Sequence, residues 1–359
     1  MTDEIHRERT AEVPVTGPLT TFVVTGVATP IGTRVVAALA AAHPLAVVRS
    51  VDGGCALDEL AAICDGADVL VHLAFVADTE WRPLGTERAN VDGCRDVLVA
   101  ATRGGVRHVV LLSSATVYGA WPNNPIPITE SAALRPNPNF AYGEQRVQME
   151  HLVLEWQRAD DARSTAVLRP VVSMSHDHSG GWLAHALAAA AGARIGELDP
   201  PAQFLHVDDL ASAVVLAATT RLPGVYNVAP DGWVAGEVSQ ALAGRTRRVR
   251  LPAGFAHHVA VWRWQFQRGP IPTGLLPYTV QPWVVSNDKL RSAGWVPRRT
   301  NEQAFVAGTE AKWWTLLSPK RKQELALGGS VVIGMLLALA TAIGVRRGLA
   351  RSATRRSTR

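Results

Sequence analysis

Cysteine is scarce in this chain. Its 359 residues include three, Cys55, Cys64 and Cys94, an odd count with no CxxC spacing. That argues against a disulfide framework and against a thiolate zinc site, and it fits a reducing compartment. Charged residues are also modest, at 19% against 47% hydrophobic, which excludes a disordered chain and leaves enough apolar side chain for a sizeable core. The N-terminus has no apolar stretch. Asp3, Glu4, Arg7, Glu8 and Arg9 come first, so it does not read as a secretory signal, and residues 1–18 read as a flexible leader. There is no internal repeat.

A net charge of +5 suggests a nucleic-acid partner until its distribution is inspected. The last fourteen residues, Arg346–Arg359, hold six arginines and no acid, and the rest of the chain is close to neutral. Just before them, Leu325–Val345 is twenty-one residues without a charge. About 20 apolar residues at 1.5 Å each span the hydrocarbon core of a bilayer. Lys320, Arg321 and Lys322 precede this segment, Arg346 and Arg347 follow it, and Trp313 and Trp314 stand where an interfacial anchor would help. The expectation is a C-terminal transmembrane helix over 325–345 with a basic tail over 346–359. Membrane lipid is then a partner, nucleic acid is not, and the domain that precedes the segment is membrane-anchored on the cytoplasmic side. A buried Ala/Gly-rich core helix is the other reading of the same segment.

Between the leader and this segment, short β-rich runs alternate with helical patterns. Strands are expected at Thr21–Thr25, Leu45–Val51, Asp68–Ala74, Val106–Ser113 and Ala166–Arg169. Helices are expected from Gly32 to about Ala42, over Asp58–Cys64, and from about Asn90 to Arg103 and Tyr142 to Arg158. Such alternation predicts βαβ units with a parallel sheet, and right-handed crossovers place the loops after the strands on one ligand-binding edge. The fold class is α/β: a Rossmann-like doubly wound parallel sheet over residues 19–172. A smaller C-terminal substrate lobe over 173–318 is interleaved with that core. In it Gly181–Ala191 and Leu210–Thr219 read as helices between Pro- and Gly-rich loops.

The run Val23-Val24-Thr25-Gly26-Val27-Ala28-Thr29-Pro30-Ile31-Gly32 joins the first strand to the first helix. There a dinucleotide pyrophosphate meets backbone N–H groups and the positive helix end. Gly26 suits the tight turn and Gly32 the helix–strand contact. An acid at the end of the second strand would bind the adenosine ribose hydroxyls. Asp52 is the candidate; Arg49 is the rival and would suit a 2′-phosphate.

Further segments stand in order. They are Val71-His72-Leu73-Ala74, Asn90-Val91-Asp92-Gly93, Leu111-Leu112-Ser113-Ser114-Ala115-Thr116-Val117-Tyr118-Gly119 and Tyr142-Gly143-Glu144-Gln145-Arg146. Then come Leu168-Arg169-Pro170, Phe204 to Leu210, Gly224 to Val228, and Lys289 to Pro297. Together they resemble the extended short-chain dehydrogenase/reductases, the NAD-dependent epimerase/dehydratase family, over about residues 20–308. The resemblance implies NAD as cofactor, with NADP as the alternative. Its contacts would come from Gly26, Thr29, Pro30, Ile31, Gly32, Asp52, Leu73, Ala74, Asn90, Tyr142 and Arg146. It implies catalysis by Ser114, Tyr142 and Arg146 on a hydroxyl or ketone of a small-molecule substrate, a sugar nucleotide or a lipid-like alcohol, and a homodimer is the assembly to test. A phenol can exchange a proton with a carbinol when positive charge lies close by, and a cation four residues on shares its helix face.

The sequence departs from the family at two positions. Thr29 stands for the middle glycine of TGxxGxxG, where it either crowds the cofactor or donates to it. Arg146 stands for the lysine of YxxxK, and arginine is longer and planar. A second class of function is therefore kept: a non-catalytic, membrane-tethered dinucleotide-binding or scaffold protein. Three clusters carry less. His176-Asp177-His178 lacks a third spaced ligand, so no metal is expected. His206-Asp208-Asp209 reads as a strand-to-helix junction capped by Asp208 or Asp209. Trp262, Trp264 and Phe266 read as core or lid, or as an interfacial surface.

Overall fold

In the computed structural model, residues 20–76, 88–175, 200–236 and 273–308 are described, with a few isolated positions between them. All belong to the unit Met1–Thr309. The leader 1–18, His176–His178, most of Gly181–Ala191, the Trp262–Phe266 segment, the segment 325–345 and the tail lie outside the described residues. Among the described residues no helix is long and apolar enough to cross a membrane.

The main sheet has six strands: β1 (Thr21–Thr25), β2 (Val47–Val51), β3 (Val69–His72), β4 (His108–Leu112), β5 (Ser164–Pro170) and β9 (Gly224–Val228). All pair in parallel, in the order β2-β1-β3-β4-β5-β9. Short pairs lie outside it: β6 (Val172–Met174) with β8 (Phe204–His206), and β7 (Arg194–Ile195) with β10 (Arg250–Leu251). The helices are α1 (Pro30–Ala42), α2 (Leu57–Cys64), α3 (Gly93–Arg103), α4 (Ala141–Arg158), α5 (Val207–Thr219), α6 (Pro277–Val280), α7 (Asp288–Ser292) and α8 (Asn301–Gly308).

The central strands read as unbroken apolar runs because both sheet faces are covered. Phe22, Val24, Val69, Val71, Val110 and Leu168 pack with Val35 and Leu39 of α1 and Ala213, Val214 and Ala217 of α5. Their neighbours Val23, Leu70, Val109, Leu111 and Val167 point the other way, onto Leu60 of α2, Val97 of α3 and Met149 and Val153 of α4. The period-2 alternation of side chains thus builds two cores from one sheet.

Some expected boundaries shift. The helix expected from Asn90 begins at Gly93, because Arg88–Asp92 form a wider π turn. The expected Leu210–Thr219 helix begins at Val207, and its cap is neither aspartate. His206 Nδ1 accepts the Asp208 N–H at 3.1 Å. Asp209 turns inward and accepts the N–H groups of Arg298 and Arg299 at 3.1 and 3.0 Å.

Candidate cofactor and active site

The chain runs from β1 outward to β2 and then returns across β1 to β3, so the strand order reverses between β1 and β3. In open parallel sheets the crevice at the carboxyl ends of such strands is where ligands bind. The Gly26–Gly32 loop, Asp52, Leu73–Ala74 and Ser114 all leave strands at this edge.

Gly26 takes φ +77 with its backbone against β3: a Cβ there would sit 2.7 Å from both N and Cα of Ala74. A Cβ on Gly32 would meet Gly26 O at 2.2 Å. Both glycines are therefore obligatory. Thr29 is not strained, since its φ of −77 and ψ of 153 suit any residue. Its hydroxyl is the N-cap of α1, donating to Gly26 O at 2.6 Å and accepting the Gly32 N–H at 3.1 Å. It turns into the loop, so the third-residue side chain braces the turn that glycine would leave open. Pro30 and Ile31 form the first turn of α1, where proline removes no helical donor.

Asp52 follows β2 and reaches the same loop, accepting the Ala28 N–H at 2.9 Å. Its rival Arg49 is engaged elsewhere, donating to the carbonyls of Ile63 and Asp65 at 2.7 and 2.6 Å and closing the end of α2.

At the end of β3, His72 Nδ1 pairs with Thr25 Oγ1 at 2.7 Å, tying β3 to β1. Burial, with the Arg146 guanidinium adding to it, pulls His72 down to about 4, so the ring is neutral at neutral pH. Asn90 is engaged with protein. Its Oδ1 accepts the Val76 N–H at 2.7 Å, and its Nδ2 donates to Val76 O at 2.9 Å and Gln145 Oε1 at 2.8 Å. It pins the segment after β3 to the start of α4.

Beyond β4, Ser114 caps a single 3-10 turn, Ala115–Tyr118. Its Oγ accepts from Thr116 N at 3.2 Å and Thr116 Oγ1 at 3.0 Å. The start of α4 lies against this turn, since a Cβ on Gly143 would be 3.4 Å from Thr116 O. Tyr142, in the first turn of α4, is half-buried. Its ring centroid lies 5.0 Å from that of Phe75 and 5.7 Å from that of Phe140. Arg146, one turn on and only 5% exposed, donates to Leu112 O. Its guanidinium carbon is 3.8 Å from the Phe75 ring centroid and 5.3 Å from that of Tyr142. The structure thus brings Tyr142 and Arg146 together and sets both beside the turn that Ser114 heads.

Two groups here lie outside the candidate site residues named from the motifs. Phe75 directly follows the His-Leu-Ala segment, and its position in chain order is the only signal it offers. Beneath the turn lies a buried polar network. Ser113 donates to Glu150 Oε1 at 2.5 Å, and Arg169 holds Glu150 through Nε and Nη2, the latter at 2.6 Å. Arg169 also donates to Tyr118 at 2.7 Å, and Tyr118 donates to Asn227 at 2.8 Å. The pairing of an Arg in Leu-Arg-Pro with a Glu one turn past Arg146 is the sequence trace of this network. Burial pushes the Tyr118 hydroxyl up to about 12 and the Cys64 and Cys94 thiols up to about 11 and about 12. None of these is a nucleophile or base at neutral pH. Among the described residues no group of three His, Cys, Asp or Glu side chains could hold a metal.

A parallel six-stranded sheet with helices on both faces and a glycine-walled loop at its reversal point defines a Rossmann-type α/β protein. Residues 22–229, more than half of the chain, match the NAD dependent epimerase/dehydratase family, and the chain belongs to that family. A UDP-glucose 4-epimerase of Azospirillum brasilense is 28% identical over 293 residues, covering 73% of this chain and 77% of that one. An Escherichia coli O157:H7 enzyme, N-acetyl-alpha-D-glucosaminyl-diphospho-ditrans,octacis-undecaprenol 4-epimerase, is 33% identical over 128 residues, 35% of this chain and 36% of that one. The chain spans about half the length of several other curated relatives, uncharacterised mycobacterial proteins 28% identical to it. Among solved structures, an Agrobacterium tumefaciens short-chain dehydrogenase/reductase superfamily protein with bound NAD superposes with a TM-score of 0.61. It is 20% identical and covers 84% of this chain and 99% of that one, a likeness of fold.

Proposed function

We propose that the protein is a nicotinamide-dinucleotide-dependent oxidoreductase or epimerase acting on a hydroxyl or ketone of a sugar, carried on a nucleotide or on a lipid. The observation that carries the reading is the glycine cradle. Gly26 and Gly32 stand where any Cβ would collide with backbone, and the loop between them opens into the N-terminus of α1. That arrangement fits a pyrophosphate. Gly26–Gly32, Asp52, Leu73 and Ala74 would hold the dinucleotide, NAD before NADP because a carboxylate at Asp52 repels a 2′-phosphate. When bound, the nicotinamide supplies hydride exchange with a carbinol carbon.

The chain's own residues do the rest. The Ser114 hydroxyl holds the substrate oxygen, and the Tyr142 phenol passes a proton to or from it. The Arg146 guanidinium, 5.3 Å from the phenol ring centroid, compensates charge that develops there. The sugar class is supported by the names of the two epimerase relatives, and a lipid carrier fits a membrane-anchored enzyme. We place the anchor at residues 325–345, with the catalytic domain on the cytoplasmic side. Alkaline carbonate extraction of cells should leave the full chain in the membrane fraction; full solubility without extraction refutes the anchor.

The test is conversion of a panel of UDP-sugars and polyprenyl-diphosphate sugars in the presence of NAD, read as epimerised or oxidised product formed. Tyr142→Phe should lower it by about 10²-fold or more, the scale of general acid–base catalysis, with NADH affinity little changed. Equal turnover by that variant on a genuine substrate contradicts the assignment. The second reading, a non-catalytic dinucleotide-binding protein, is favoured by one observation: Arg146 already donates to Leu112 O and stacks on Phe75. It predicts NADH binding with no turnover on any member of the panel.

A further inference from the structure

Arg146 is the chain's departure from the lysine of its family, and its surroundings are built for a guanidinium. The plane has an aromatic face at 3.8 Å from Phe75, one nitrogen donates to Leu112 O, and the Nε is buried with no hydrogen-bond partner among the described residues. A buried, unpaired N–H on a cation is costly, so the contacts that hold this guanidinium in place have to offset it. Phe75 is itself held. Asn90 clamps both the N–H and the carbonyl of the next residue, Val76, and is tied in turn to Gln145, the neighbour of Arg146 on α4. The Phe75 ring also packs edge-on against Tyr142, at 5.0 Å between centroids. A lysine ammonium has neither a plane to stack nor a fork to anchor.

We propose that Phe75, placed by Asn90, is a positioning residue that fixes the plane of Arg146 and so presents the outer edge of its guanidinium to a hydroxyl of the bound dinucleotide. Phe75 and Arg146 then form one unit, and the arginine is usable at this position only with its aromatic platform. The inference rests on the cofactor reading above.

The experiment measures NADH affinity of the full-length chain by fluorescence in two backgrounds. In the native background, Phe75→Leu should weaken binding about 3- to 30-fold, the range of a partly desolvated cation–π contact. Phe75→Tyr and Phe75→Trp, which keep a ring, should stay within about 2-fold of the parent. In an Arg146→Lys background, Phe75→Leu should change affinity by less than about 2-fold, because no plane is left to position. Urea unfolding of the same six chains checks that each folds. It should also show the Phe75 and Arg146 effects to be non-additive, as expected for residues in contact. An equal loss from Phe75→Leu in both backgrounds, or failure of Phe75→Trp to retain affinity, overturns the inference while leaving the cofactor reading intact. A native chain that binds no NADH overturns both.

Discussion

At the scale of single residues, Thr29 shows how a departure from a motif is absorbed. The middle glycine of the loop would leave its backbone open, whereas Thr29 closes it with two hydrogen bonds and caps α1. Thr29→Ala should therefore cost about 1 kcal/mol of stability, the usual loss on removing an N-cap hydroxyl. Thr29→Ser should cost little. Urea melts of the three chains decide it, and an unchanged midpoint for Thr29→Ala would show that the cap is idle. Asp52 offers a second residue-level test. Because it lies at the loop through the Ala28 N–H, Asp52→Asn should narrow the preference for NADH over NADPH. A parent that prefers NADPH would contradict the role given to Asp52, since Arg49 is already held at the end of α2.

At the scale of elements, the end of β4 and α4 are joined by two successive contacts: Leu112 O accepts from Arg146, and the next residue, Ser113, donates to Glu150. Glu150 has no exposed surface and faces Arg169, which is 4% exposed. Removing one partner of such a pair leaves an uncompensated buried charge, so Glu150→Ala should destabilise the fold by about 3–5 kcal/mol. A loss below about 1 kcal/mol in urea melts would show that water reaches Arg169 and relieves it. Elements set by local pattern were legible in the sequence. Thr21–Thr25 is β1 as read, and α4 lies within a residue of its expected Tyr142 start, because period and turn signals are local. Pairings over long separation were not: β9 joins β5 across 54 residues, from Pro170 to Gly224, and no local pattern marks that partner. The site divides the same way. The glycines, Ser114, Tyr142 and Arg146 stand in motifs, whereas the platform of Phe75 and the engagement of Asn90 with Val76 exist only once β3 and α4 pack together.

At the scale of the whole molecule, two histidines bury their rings in the core. His72 and His108 are both pulled down to about 4, chiefly by burial. Between about pH 6.5 and 4 the unfolded chain binds protons at these rings that the folded chain does not. Their contribution is thus fully present above about pH 6.5 and is lost as pH falls, at about 1.4 kcal/mol per pH unit for each ring. Urea stability should drop steeply from pH 7 to 5, and His72→Asn should flatten the slope; an equal slope in that variant would contradict the assignment. The reversal point of the parallel sheet is a dinucleotide site. Its most direct test is NADH titration of the full-length chain beside its Gly26→Val variant, with far-UV circular dichroism confirming that the variant folds. A valine at φ +77, with its Cβ 2.7 Å from Ala74, cannot keep the loop in place. Saturable fluorescence enhancement is expected for the native chain and none for the folded variant. Equal affinity in the two chains would contradict a dinucleotide site here.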